Sequence, residues 1–308
     1  MKKLLLASTA ALVGSAGVAA ADGVALSGDG RMGVVYNSGP GNNFMFSSRA
    51  RVTFTLSGET DTGLAFGGSF RADNADDASS GTAGSVFISG DFGRLTMGDT
   101  AGAAQFVVGH VGGVGLTGLG FYNESVFLGN NTGLNSIVGT DISRPTARYD
   151  ITIDGFTVAL SHTNPGSSDT VASIAAGYEF DGFSVGAGYE RLNISSPLAP
   201  NVDHWIIGAG FEMDGISVKA NYGRASSSAG SADQYSIGAG YSMDDIGVDA
   251  YYSRNFGGAS SMGLGASYDL GGGASLVGGI VRTNVGANAF ASPVARRTEA
   301  DFGISFSF

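Results

Sequence analysis

The chain contains no cysteine, only 6 prolines, one tryptophan and three histidines, and charged residues make up just 14% of it. Without cysteine, no disulfide framework holds it together. The low charge comes with an imbalance, 16 basic residues against 27 acidic ones. Nucleic-acid binders normally present a basic surface, so that class is excluded. After residue 21 no apolar run reaches the ~18 residues of a membrane-spanning helix. Disorder is excluded too, because 19 Phe and 11 Tyr make the chain too apolar. What it has in quantity is glycine, 52 of 308 residues, with no collagen-type period. Glycine costs roughly 1 kcal/mol per helix-interior position relative to alanine, so this content argues for β structure.

Residues 1–21 read as a secretory signal peptide. Lys2 and Lys3 form a basic start, Leu4 to Val18 an apolar stretch, and Ala19-Ala20-Ala21 a small-residue cleavage site. An uncleaved anchor is the alternative. Cleavage after Ala21 leaves a single domain, residues 22–308.

From Val24 onward the sequence alternates. Val24, Leu26, Met32, Val34 and Tyr36 share one face; Ser27, Asp29, Arg31 and Asn37 share the other. This period of two marks strands with one apolar and one polar face. Sixteen such segments are expected, at 24–37, 44–59, 63–73, 83–91, 93–99, 146–153, 156–164, 170–180, 183–193, 203–213, 216–225, 233–243, 246–255, 261–270, 273–284 and 298–308. An even number suits a closed antiparallel barrel. Short turns recur as ITIDGFTVAL (151–160), YEFDGFSVGAG (178–188), FEMDGISVKA (211–220) and YSMDDIGVDAY (241–251). An Asp-Gly pair between alternating runs is a strong hairpin signal. The other connections are longer and polar, such as 74–82, 194–202 and 285–297. Short turns at one rim and long loops at the other is the asymmetry of outer-membrane barrels.

Alternation alone does not say which face meets water. Aromatics near segment ends on the apolar face (Trp205, Tyr235, Tyr241, Tyr268) favour interface girdles. Glycines on the polar face (Gly186, Gly188, Gly208, Gly210, Gly238, Gly265) fit a wall bounding an open space. The fold class expected is all-β, a transmembrane 16-stranded antiparallel barrel.

The stretches ALSGDGRMGVVYN (25–37), FSSRARVTFTLSGETDTGLAFGGSF (46–70) and GLGASYDLGGGASLVGGI (263–280), with the terminal Phe308, resemble the general porins of Rhodobacter-type bacteria. The resemblance implies a homotrimer of sixteen-stranded barrels, each with its own pore. It also implies that the third long loop folds into the lumen, with basic wall residues facing acidic loop residues.

Arg31, Arg51 and Arg71 fall on the polar faces of the first three segments. Counted from the short-turn rim they stand at similar height, with Arg49 a step above. Like charges at one height repel, so folding alone does not favour the cluster. It reads as the electropositive wall of a constriction, against the alternative of a solvated charged face. The third long connection, 100–145, exceeds the ~15 residues usual for a structureless loop. It departs from the resemblance in carrying few acids, namely Asp99, Glu124 and Asp141. Its Phe106, Val107, Val108, Leu116, Leu119, Phe121, Phe127 and Leu128 either favour amphiphilic solutes or form the loop's own small core. Elsewhere the polar face is acidic (Asp29, Glu59, Asp91, Asp150, Glu179, Glu190, Glu212, Asp249, Asp269, Asp301), which predicts a weak cation preference.

Asp73, Asp76 and Asp77 are weak candidates for a structural Ca²⁺ through oxygen ligands, without the spacing of a Ca²⁺ loop; a solvated acidic loop is the alternative. No other cofactor is implied. His110, His162 and His204 are scattered, no HExxH, GxSxG or P-loop pattern occurs, and GVGLTG (113–118) lacks the strand-then-helix context of a nucleotide site. The function expected is therefore a passive channel of the cell outer membrane for ions and small hydrophilic solutes, touching outer-membrane lipid and lipopolysaccharide. The alternatives are a substrate-selective channel, an outer-membrane barrel enzyme, or a secreted β-rich adhesin.

Overall fold

A computed structural model describes residues 23–39, 43–75, 78–81, 84–129, 145–197, 199–286 and 290–308. The strands are β1 (Gly23–Asn37), β2 (Phe44–Glu59), β3 (Ala65–Ala75), β4 (Ala78–Gly81), β5 (Ser85–Gly90), β6 (Gly93–Gly98), β7 (Thr146–Ile153), β8 (Phe156–His162), β9 (Thr170–Phe180), β10 (Phe183–Asn193), β11 (Val202–Met213), β12 (Ile216–Ser227), β13 (Gly230–Met243), β14 (Ile246–Arg254), β15 (Ser260–Gly271), β16 (Ala274–Thr283) and β17 (Arg297–Ser307). Every neighbouring pair is antiparallel, and β17 pairs with β1 to close the sheet. β4 and β5 both pair with β3 and act as two pieces of one wall strand, so the wall is a closed sixteen-stranded barrel. The sequence segment 83–91 is thus only the second half of a longer strand. Among the described residues, one short helix, α1 (Ala103–Val108), and a single 3-10 turn at Leu119–Phe121 interrupt the sheet. No helix among the described residues is long and apolar enough to cross a membrane.

The local chemistry explains the hairpins. At Asp154-Gly155, Asp181-Gly182 and Asp214-Gly215 both residues have positive φ, the two-residue turn whose twist matches that of paired strands. A Cβ on Gly155, Gly182 or Gly215 would also stand 2.2–2.4 Å from a carbonyl oxygen of the next strand. At Asp244-Asp245 only Asp244 has positive φ, which is why this turn manages without glycine. Gly155→Ala, Gly182→Ala and Gly215→Ala are each expected to cost about 1–2 kcal/mol of barrel stability. Unchanged urea midpoints of the folded barrel in lipid would contradict that.

The two faces of the wall differ sharply. The apolar face is exposed all round, with Leu26 65%, Phe46 92% and Leu264 54% exposed. A continuous apolar belt of this kind is an aggregation hazard in water and a requirement in a bilayer. Burial is instead confined to the polar face, where residues 103–128 cover β8 to β17.

Candidate functional site

Four guanidinium groups lie on the polar face of β1 to β3. Strand register, rather than distance from the rim, sets their neighbours. Arg31 stands opposite Arg49, whereas Arg51 stands opposite Asp29 on one side and Asp73 on the other. Arg71 stands opposite Thr53. Counting from the rim therefore misplaces Arg51 beside Arg31. The strands of a barrel are staggered by its shear, so equal counts from one rim do not mean equal height.

The wall is an ion-pair ladder. Arg49 is hydrogen-bonded to Asp29, and Arg51 reaches the same carboxylate at 3.6 Å. Arg51 and Arg71 both donate to Asp73, each through Nε at 2.8 Å from Oδ1. Asp73, the first of the Ca²⁺ candidates, is paired with Arg51 and Arg71. Asp76 and Asp77 lie outside the described residues, as does Asp141 of the long connection. Asp99 directly follows β6, where its N–H donates to the Gly84 carbonyl, and Glu124 follows the 3-10 turn, with its N–H donating to the Phe121 carbonyl.

Residues 101–129 pack against the polar face of the opposite part of the wall. Ala103 and Ala104 donate their N–H groups to Ser161 and Ser173. Arg148 on β7, absent from the sequence reading, donates to Thr100 Oγ1 and the Ala101 carbonyl, and its guanidinium lies 3.8 Å from the Phe106 ring centre. Asp301 on β17 accepts from Leu116 N–H, Thr117 N–H and the Thr117 hydroxyl at 2.6–3.0 Å. Tyr122 donates to Glu299 and accepts from Arg297. Between these anchors, apolar groups fill gaps. Val111, Val114 and Leu119 meet Tyr251 and Val281, while Ala104, Val108 and Phe127 meet Ile206.

A fully buried polar cluster holds the far end. Glu190 Oε2 accepts from Leu128 N–H at 2.9 Å and from His204 Nδ1 at 2.8 Å. Gln234 accepts Val126 N–H, donates to the Val126 carbonyl and donates to His204 Nε2. That pattern assigns His204 the Nδ1–H tautomer. Glu190 and Asp301, read from sequence as acidic lining, are thus hydrogen-bond anchors of this segment. The segment's acceptor partners lie up to 185 residues away, so no local signal identifies them.

The polar-face glycines have the same explanation. A Cβ at Gly188 would lie 2.6 Å from Ala104 Cβ, at Gly177 2.8 Å from Val107, at Gly208 2.8 Å from Val108 and at Gly265 2.9 Å from Val114. At Gly279 it would meet the Gly115 backbone at 2.7 Å. These positions form a track that seats residues 104–115, where the sequence reading placed open space. Most of the apolar residues of the segment serve this packing, whereas Phe106 and Phe121 stay 42% and 57% exposed.

On the short-turn side a cavity of about 670 Å³ is lined by Glu179, Glu212, Asp249, Lys219 and His110. Burial, then the nearby Lys219 charge, pushes His110 down to about 4, so it is neutral at pH 7. Lys219 is then the cation among these groups, facing three carboxylates.

The Gram-negative porin family profile matches residues 7–288. The chain is 33% identical to a porin of Rhodobacter capsulatus, with 92% of this chain and all of that protein covered. A porin structure refined at 1.8 Å superposes with a TM-score of 0.74 at 30% identity, covering 92% of this chain and 100% of that one. A triple mutant of the Rhodopseudomonas blastica porin shares the fold, with a TM-score of 0.68 at 24% identity over the same shares. The closed barrel, its apolar outer belt and these matches together place the chain in the Gram-negative porin family, as a passive channel of the outer membrane and not an enzyme.

Proposed function

We propose a general diffusion pore with a weak preference for cations. Residues 101–129 narrow the lumen from the β8–β17 side, and the Arg31, Arg49, Arg51 and Arg71 wall bounds the remaining passage. The observation that carries this reading is the ladder itself. Asp29 and Asp73 interleave with the arginines, so the wall offers anions far less than four free charges. Along the rest of the passage Glu179, Glu212, Asp249 and Asp269 lower the energy of cations within a Debye length of about 8 Å at physiological salt. The segment contributes little opposing charge, so the field across the passage is weak and size matters more than sign.

In a salt gradient across a planar bilayer, the reversal potential is expected to show a small cation preference, and solute flux to rise without saturation. Firm anion selectivity would overturn the first expectation, and saturable flux with block by one ligand would favour a substrate-selective channel. Residues 1–21 are removed on export, and the long connections face the cell exterior and its lipopolysaccharide. The barrels assemble as homotrimers, as the resemblance implies; the mass of the detergent-solubilised complex tests this.

A further inference from the structure

Four strands repeat one pattern: FSVGAGYER (183–191), ISVKANYGR (216–224), IGVDAYYSR (246–254) and ASLVGGIVR (274–282). Each starts at the short-turn rim and places arginine at its ninth position. Arg191, Arg224, Arg254 and Arg282 share parity with Tyr189, Tyr222, Tyr252 and Ile280, so they lie on the apolar outer face, and all four are exposed. Arginine facing hydrocarbon costs about 2–4 kcal/mol at the bilayer midplane but only about 0–1 near an interface. Each of the four lies within four residues of the long-loop end of its strand, which places them at the headgroup level on that side.

The four are not equivalent. Arg191 pairs with Asp203 at 3.2 Å and Arg224 with Asp233 at 3.3 Å. Arg254 instead faces Tyr235 and Ser260, and Arg282 faces Met262 and Thr298. Neither has an acidic partner within 4 Å among the described residues. Their positions on β15 differ by two residues, from Ser260 to Met262. Two strand spacings and two residues put their backbones roughly 12 Å apart, within joint reach of two long side chains. Directly below, Met262, Leu264 and Ile280 form an exposed apolar surface.

Two cations with no acidic partner among the described residues, at headgroup level over a surface that accepts acyl chains, match an anionic lipid. We propose that Arg254 and Arg282 form a binding site for the phosphate groups of outer-leaflet lipopolysaccharide. The site rests on the outward orientation of the long connections stated above. Guanidinium recognises phosphate through paired charge-assisted hydrogen bonds.

The test is native mass spectrometry of the detergent-solubilised porin titrated with diphosphoryl lipid A, monophosphoryl lipid A and phosphatidylcholine. Diphosphoryl lipid A is expected to bind tightest, and R254S/R282S to weaken it by about fivefold per arginine removed. R191S/R224S, which breaks acid-paired arginines, is expected to change it less. Equal binding by R254S/R282S and the unaltered chain, or binding independent of phosphate number, overturns the site. So does dissociation of the oligomer in R254S/R282S, which would assign these residues to a contact with a second copy. Bilayer conductance is expected to be unchanged in both variants and reports that the barrel is folded. An impermeant maleimide applied to intact cells carrying S196C reads the orientation separately. Labelling without a lipid adduct overturns the site alone; absence of labelling overturns the orientation, and with it the assignment to the outer leaflet.

Discussion

Gly188→Leu is expected to reduce single-channel conductance and to raise open-channel noise, while Ala187→Leu next to it leaves both unchanged. Gly188 is buried on the polar face, and a Cβ there would stand 2.6 Å from Ala104 Cβ and 2.9 Å from its Cα. The second of these is a backbone atom of α1, which no rotamer change can move. The helix is held by Ser161 and Ser173 through its first N–H groups, so a leucine sets packing against those bonds. Overpacking of this kind typically costs 1–3 kcal/mol. The cheapest relief is movement of α1 away from the wall, into the passage. Ala187 is exposed on the apolar face, where a larger side chain meets only lipid. Normal conductance in Gly188→Leu at normal stability would show that residues 103–108 do not bound the passage.

The second large effect concerns the ladder. Asp29→Asn with Asp73→Asn removes two negative charges and leaves Arg49, Arg51 and Arg71 without the carboxylates they now share. The reversal potential is expected to shift towards anions. An uncompensated charge 4 Å from an ion is worth about 1 kcal/mol in water, hence a shift in permeability ratio of a few-fold, smaller in high salt. Arg31→Ala with Arg71→Ala is expected to shift it the opposite way and to widen the passage, raising conductance. The paired experiment separates charge from size, because the asparagine variants keep side-chain volume. If neither pair alters conductance or selectivity, the four arginines do not line the narrowest part.

Much of this architecture is local and was readable in advance. Strand limits such as 44–59, 146–153, 170–180 and 183–193 coincide with the observed ones, because a period of two and Asp-Gly turns are properties of consecutive residues. The piece Ala78–Gly81 was missed because small polar residues show no alternation. The glycine positions were visible but their purpose was not. A missing side chain on a polar face has the same sequence signature whether water or another segment fills the space.

The sequence by itself determined the strands, their even number, the hairpin turns and which residues share a face, since each depends on neighbours along the chain. Only the tertiary structure decided that Arg51 sits between Asp29 and Asp73, that Asp301 and Glu190 anchor residues 116–128, and that the glycine track seats α1. Register across a barrel is set by closure of β17 on β1, and the anchoring bonds join residues far apart in the chain. Both are properties of the whole ring, and no single stretch of sequence carries them.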